Sequence, residues 1–198
     1  MRFIGLFIIV IAVVTGASRK WARKQQDTTE AFWKRETDAN FARRKDISDL
    51  PYITIPLDTF PIGICQNSDL LAYEATLREL ATKQILNLSG ESNTDLKLKY
   101  GAANLPTLSE CDDNFAALCC TIAAYGECLL DLGYEKEAQT VLEYGISCGT
   151  DISKNYLLLG QLYQKQGDSD ALTRLKEQAS ALRSVMKNAI VGHLDNLA

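Results

Sequence analysis

The side chains best suited to chemistry in this 198-residue chain are six cysteines, Cys65, Cys111, Cys119, Cys120, Cys128 and Cys148, and one histidine, His193. Thiolates attack carbonyls, exchange disulfides or hold zinc, and each task needs partners at set spacings. Here Cys119 and Cys120 are adjacent, no paired CxxC occurs, and one histidine near the C-terminus completes neither a Cys/His ligand set nor a Ser/His/Asp triad. Cys111, Cys119, Cys120 and Cys128 fall in a stretch with helical periodicity, so they read as reduced, buried, small apolar residues. Adjacent carboxylates such as Asp112 and Asp113 read as first-turn charges favoured by a helix dipole. A glycine-rich phosphate loop and an HExxH pair are missing from the sequence, and the GxSxG letters at Gly145–Gly149 close a helical stretch rather than form a strand-to-helix elbow. The expectation is a protein without catalytic residues, metal or cofactor.

Charge narrows the partners. Twenty-one basic residues against 25 acidic ones leave a net charge of -4, the wrong sign for a general nucleic-acid binder. The strongest compositional break is at the N-terminus, where residues 3–14 are almost wholly aliphatic and Arg19, Lys20, Arg23 and Lys24 follow. As a helix, residues 3–18 would rise about 24 Å, short of a hydrocarbon core of roughly 30 Å, so the span extends toward Trp21 with its cations snorkelling outward. Thr15, Gly16 and Ala17 are also small enough for a signal-peptide cleavage site, and a buried core helix is a third reading. The four cations after the apolar run favour an uncleaved anchor over residues 1–21, single-pass in the cell membrane, with the soluble part facing the cytoplasm. In that topology the Asn87-Leu88-Ser89 sequon has no role, and reduced cysteines are expected.

Residues 22–46 form a charged juxtamembrane segment without glycine or proline and with opposite charges such as Glu30 and Lys34 at helical spacing. Phe32, Trp33 and Phe41 are its unusual members, suited to docking, while Arg43, Arg44 and Lys45 suit anionic lipid. Pro51, Pro56 and Pro61 then punctuate residues 47–66 at intervals of five, among Ile53, Ile55, Leu57, Phe60, Ile62 and Ile64. Proline removes a donor and biases its predecessor away from the helix, so this segment is extended. Its apolar content predicts packing across the helices that follow. Residues 67–198 read as helical: one helix from an Asn67 or Ser68 cap through Leu88 to Gly90, supported by Glu74 and Arg78, then a short one from Thr94 to Gly101. A Ser109/Asp112 capping box opens the next, which Gly133 ends; another runs through Ala138 to Ile146. Asp151 is the expected cap for a helix over 154–166, and the last helix runs from Ser169 almost to the end along Leu172, Leu175, Ala179, Leu182, Met186 and Ala189.

Within that domain Gly126 and Gly133 recur as Gly160 and Gly167, a shift of 34 residues, with apolar neighbours of like character around both pairs. Taking Cys119 and Ser153 as first positions, the fourth are Ile122 and Tyr156, the seventh Tyr125 and Leu159, the small eighth Gly126 and Gly160, and the eleventh Leu129 and Tyr163. In the first unit Ala138, Leu142 and Gly145 follow in small, bulky, small order, whereas in the second Ala171 comes one residue early. This pattern resembles the tetratricopeptide repeat family, with units at about 119–152 and 153–186. The N-terminal apolar run makes the whole similar to bacterial membrane-anchored repeat proteins.

The resemblance implies an all-α array of helical hairpins behind a single N-terminal transmembrane helix, with the proline-rich segment packed on it. It also implies a protein or peptide partner held on the first helices, along Ala123, Glu127, Leu130, Leu157, Gln161 and Gln164. The lysine and asparagine set with which some members clamp a C-terminal carboxylate is not there. The ribbon at 51–64 is a candidate to fill part of that groove. The expected role is a membrane-tethered adaptor; the alternatives are a structural subunit of a membrane complex, or a secreted binding protein if the N-terminus is cleaved.

Overall fold

Proline and glycine set many of the boundaries in the computed structural model, which describes residues 28–197. The helices are α1 (28–40), α2 (Ser68–Leu80), α3 (Asn93–Tyr100), α4 (Leu105–Asp131), α5 (Glu135–Ser147), α6 (Ser153–Gln166), α7 (Ser169–Ala181) and α8 (Lys187–Asp195). No strand occurs among the described residues. The expected anchor, residues 1–21, and the start of the juxtamembrane segment lie outside them. Among the described residues no helix is long and apolar enough to cross a membrane. The chain divides into two units, one holding the residues up to Asp46 with Ser92–Leu105, the other Ile47–Glu91 with Pro106–Ala198.

In the first unit Ser92 caps α3, its Oγ accepting from the Asp95 N–H while the Asp95 carboxylate accepts from the Ser92 N–H. Glu36 of α1 accepts from Lys97 Nζ at 2.6 Å and from Thr94 Oγ1 at 2.5 Å, tying the two helices together. The Lys97 ammonium and then the Thr94 hydroxyl hold the Glu36 carboxyl below its ordinary range, and Ser92 does the same for Asp95. Asn104, buried, donates to the carbonyls of Lys45 and Tyr100 at 2.7 and 2.8 Å and accepts from Arg44 Nε.

In the second unit the proline-punctuated ribbon packs against α2, α4 and α5. Ile55 and Phe60 are buried in the same apolar cluster as Leu70, Leu77, Phe115, Ile122 and Tyr125. Each contributes about 1.5–3 kcal/mol by leaving water. The ribbon's main chain is held as well: Tyr125 Oη donates to the Pro61 carbonyl at 3.1 Å, Tyr144 Oη to the Thr54 carbonyl at 3.1 Å, and the Gly63 N–H donates to buried Glu74 at 2.9 Å. Burial, and then the neighbouring Glu74, push the Tyr125 phenol up, so it stays a donor. Phe60 meets Tyr144 edge-on at 5.2 Å between ring centres.

Several sequence expectations shift here. Asn67 caps α2 as expected, its Oδ1 accepting from Asp69 and Leu70, but the helix stops at Leu80 rather than running to Gly90. Ile85, Leu86 and Leu88 are buried from a non-helical segment, where Ile85 O accepts from Ile53 N at 2.9 Å and Leu86 N donates to Cys111 O at 3.2 Å. Glu74 faces the ribbon, not Arg78 as the i,i+4 spacing suggests. The helix α4 opens four residues before Ser109, with Pro106 in the first turn, where a missing N–H costs nothing. Asp112 therefore caps no helix; its Oδ1 accepts from Leu88 N at 3.1 Å.

The 34-residue period reappears in three dimensions. At the end of α4, Tyr134 N donates to Leu129 O and Gly133 N to Leu130 O; at the end of α6, Asp168 N donates to Tyr163 O and Gly167 N to Gln164 O. Both are the same glycine-terminated Schellman turn, with φ of 85° at Gly133 and 70° at Gly167, a region that L side chains avoid. The helices α5 and α7 begin and end 34 residues apart, and α8 begins 34 residues after α6. The expected single last helix is thus two, separated by residues 182–186. Ile190 and Leu194 are buried in it, whereas Met186 and Ala189, on the expected seam, are exposed. Ile122, Tyr156 and Ile190 fill equivalent positions, all at most 1% exposed. So α8 stands as the first helix of a third, downstream unit. The period is followed at its eighth position by Leu194 in place of glycine, which hides it from a search on glycines. The fold is an all-helical, helical-repeat-like array.

Candidate functional site

The first helices of the first two repeats, α4 and α6, position the residues expected to meet a partner. Ala123 is 3% exposed, which removes it from any surface. Leu130 and Leu157 are half-buried, Leu130 against both apolar clusters. Both carboxylate oxygens of Glu127 accept from Lys154 Nζ, at 3.0 and 2.8 Å, linking the first repeat to the second. Gln161 and Gln164 are exposed, and Gln164 Nε2 donates to the Leu197 carbonyl at 2.7 Å, linking the second unit to α8.

Of the expected set Leu157 stays half-buried and Gln161 exposed, Lys154 beside them in sequence is exposed, and Val191 on α8, one period downstream of Leu157, is half-buried. Lys154 and Val191 were missed by sequence reasoning. The 34-residue shift carried one unit downstream from Leu157 lands on Val191, so that signal was present.

Close approach of the helices depends on the two eighth-position glycines. A methyl built on Gly126 would stand 2.6 Å from Leu142 Cδ2, on the second helix of the same hairpin. One built on Gly160 would stand 2.8 Å from Leu194 Cδ2 and 2.9 Å from Leu197 Cδ1, at the far side of α6. Lys176 occupies the place where the first unit has Leu142, and it pairs with Asp195 of α8 at 3.3 Å. The departure noted at Ala171 thus has a packing counterpart.

The ribbon shares an apolar cluster with one residue of the expected face, Leu130. The side chains that hydrogen-bond its main chain, Tyr125, Tyr144 and Glu74, are outside the expected set. Beside it a depression of about 430 Å³ is lined by Phe60, Pro61, Ile62, Ile64, Lys136 and Thr140, and a second of about 280 Å³ lies among α5, α6 and α7 around Tyr163 and Arg174. Tyr163 Oη donates to Glu143 Oε1 there at 2.8 Å.

Burial pushes the Cys119 thiol up to about 12, and burial likewise raises Cys111, Cys128 and Cys148, so these four are neutral thiols at physiological pH. Among the described residues no group of three or more His, Cys, Asp or Glu is arranged to hold a metal ion. Asn87, the sequon residue, donates through Nδ2 to the carbonyls of Cys148 and Gly149 at 3.1 and 3.4 Å, fastening the 85–90 segment to the α5–α6 turn. Comparison with protein-family models, with curated proteins and with solved structures returns no match.

Proposed function

We propose that this chain is a membrane-tethered adaptor of tetratricopeptide-like build, without catalytic activity, that holds a peptide or partner protein on the first helices of its repeats. The observation that carries the reading is the identical glycine-closed turn at 133 and 167, flanked by hairpins in the same register. Stacked hairpins of this kind present a continuous face that no single unit could build, and such arrays work by binding. The tether rests on the aliphatic run at 3–14 and the cations behind it; the cytoplasmic orientation rests on those cations.

Proximity labelling in intact cells followed by crosslinked pull-down tests the reading. The natural chain is expected to enrich a partner protein that Leu157→Arg combined with Gln161→Arg loses, with the far-UV spectrum unchanged. Equal enrichment by both chains would remove this face as the site. Absence of any protein enriched by either chain over an untagged control would remove the adaptor role.

A further inference from the structure

The aromatic side chains left in water are concentrated in one place. Phe32, Trp33 and Phe41 are 57%, 62% and 83% exposed, whereas the exposed large apolar residues of the second unit are Leu71, Leu132, Val185 and Met186, all aliphatic. Phe32 and Trp33 meet edge-to-face at 5.5 Å, forming one apolar surface on α1. The same helix uses Arg35, Glu36 and Ala39 for α3, through the pairs Arg35–Asp95 and Glu36–Lys97 and a fully buried Ala39. Packing on α3 therefore does not account for the rings.

Charge divides in the same way. Residues 28–46 and 92–105 carry seven Lys and Arg against five Asp and Glu, and residues 1–27 add five against one. Residues 47–91 and 106–198 carry nine against nineteen. A basic segment with exposed amphipathic rings complements an anionic bilayer surface, whose headgroup layer takes Trp and Phe where apolar and wet regions meet. The acidic excess of the second unit is repelled by such a surface. The chain also enters α1 from its most aliphatic stretch, with Phe32 eighteen residues beyond Val14.

We propose that residues 32–45 form an interfacial lipid contact, with Phe32, Trp33 and Phe41 in the headgroup layer of an anionic leaflet and Lys34, Arg43 and Lys45 paired with its phosphates and carboxylates. This contact takes its membrane from the tether reading, while its evidence comes from α1 and the residues after it. It makes the unit a peripheral foot on the bilayer, distinct from any span.

Trp21 and Trp33 are the two tryptophans of the chain, so Trp21→Phe leaves a single reporter. The full chain carrying that change is reconstituted with phosphatidylcholine vesicles, with and without phosphatidylserine. The expected result is a blue-shifted Trp33 emission, quenched by lipids brominated just below the headgroup, stronger with phosphatidylserine and reduced several-fold by Arg43→Glu with Lys45→Glu. Trp33 emission that stays water-like and equally open to aqueous acrylamide in both vesicles overturns the proposal. So does shielding that is the same without vesicles or that appears only on adding a soluble protein. Flotation in high salt keeps the two membrane readings apart. A chain that floats while Trp33 remains in water retains the tether and loses the foot. One that floats only at low salt with phosphatidylserine, and not as Phe32→Ala/Trp33→Ala/Phe41→Ala, retains the foot and loses the tether.

Discussion

The two complete hairpins share a register but not a supplier of bulk. Over Gly126 the space is filled by Leu142, from the hairpin's own second helix; over Gly160 it is filled by Leu194 of α8 and by Leu197 just past it. The first hairpin closes on itself and is backed by the ribbon and α2. The second, with Lys176 where a leucine would close it, depends on α8. A repeat sequence therefore conserves the distance between helices more strictly than it conserves which residue fills it, because a glycine fixes how near two backbones come while any apolar side chain of suitable size can occupy the gap.

The largest test of this contrast is Leu142→Ala. Leu142 is fully buried, so its removal is expected to lower the free energy of unfolding by about 2–5 kcal/mol, toward the upper end, in urea titrations. A cost no greater than that of Lys176→Ala would erase the difference between the hairpins. Next, Gly126→Val is expected to cost about 1–3 kcal/mol by overpacking. A double-mutant cycle should recover part of that loss with Leu142→Ala, and the parallel Gly160→Val should be relieved by Leu194→Ala but not by Lys176→Ala. Relief of Gly160→Val by the lysine change would assign the gap to the wrong helix. Tyr144→Phe removes the hydrogen bond to Thr54 O and is expected to cost about 0.5–1.5 kcal/mol; amide exchange should quicken in α4 and α5 and not in α7 and α8. The smallest effect belongs to Lys176→Ala itself, within about 1 kcal/mol, because its pair with Asp195 is half in water.

Much of this architecture was legible before any coordinates. Gly133 and Gly167 announced their turns because a positive φ is a local demand that few residues meet, and the prolines of the ribbon forbade a helix for an equally local reason. Helix ends set by tertiary contacts were not legible. Leu80 ends α2 and leaves Ile85, Leu86 and Leu88 buried in an extended stretch, yet their spacing satisfies a helix just as well, since what decides it is the pairing with Ile53 and Cys111 far along the chain. Asp112 and Asp151 resembled caps but serve distant donors, Leu88 N and Ser184 Oγ. Of the expected binding face, Gln161 and Leu157 keep some surface while Ala123 has none, because periodicity assigns a residue to a side of its helix without saying what else arrives there.

The ribbon is gripped by its carbonyls. Tyr125 and Tyr144 take hold of oxygens that every amino acid possesses; Ile55 and Phe60 sink their side chains fully and Ile53, Leu57, Ile62 and Ile64 partly, while Thr54, Asp58 and Thr59 look outward. Such a strap tolerates rewriting where its side chains face water: an epitope engineered at 58 and 59 should leave it fastened to the helices beneath.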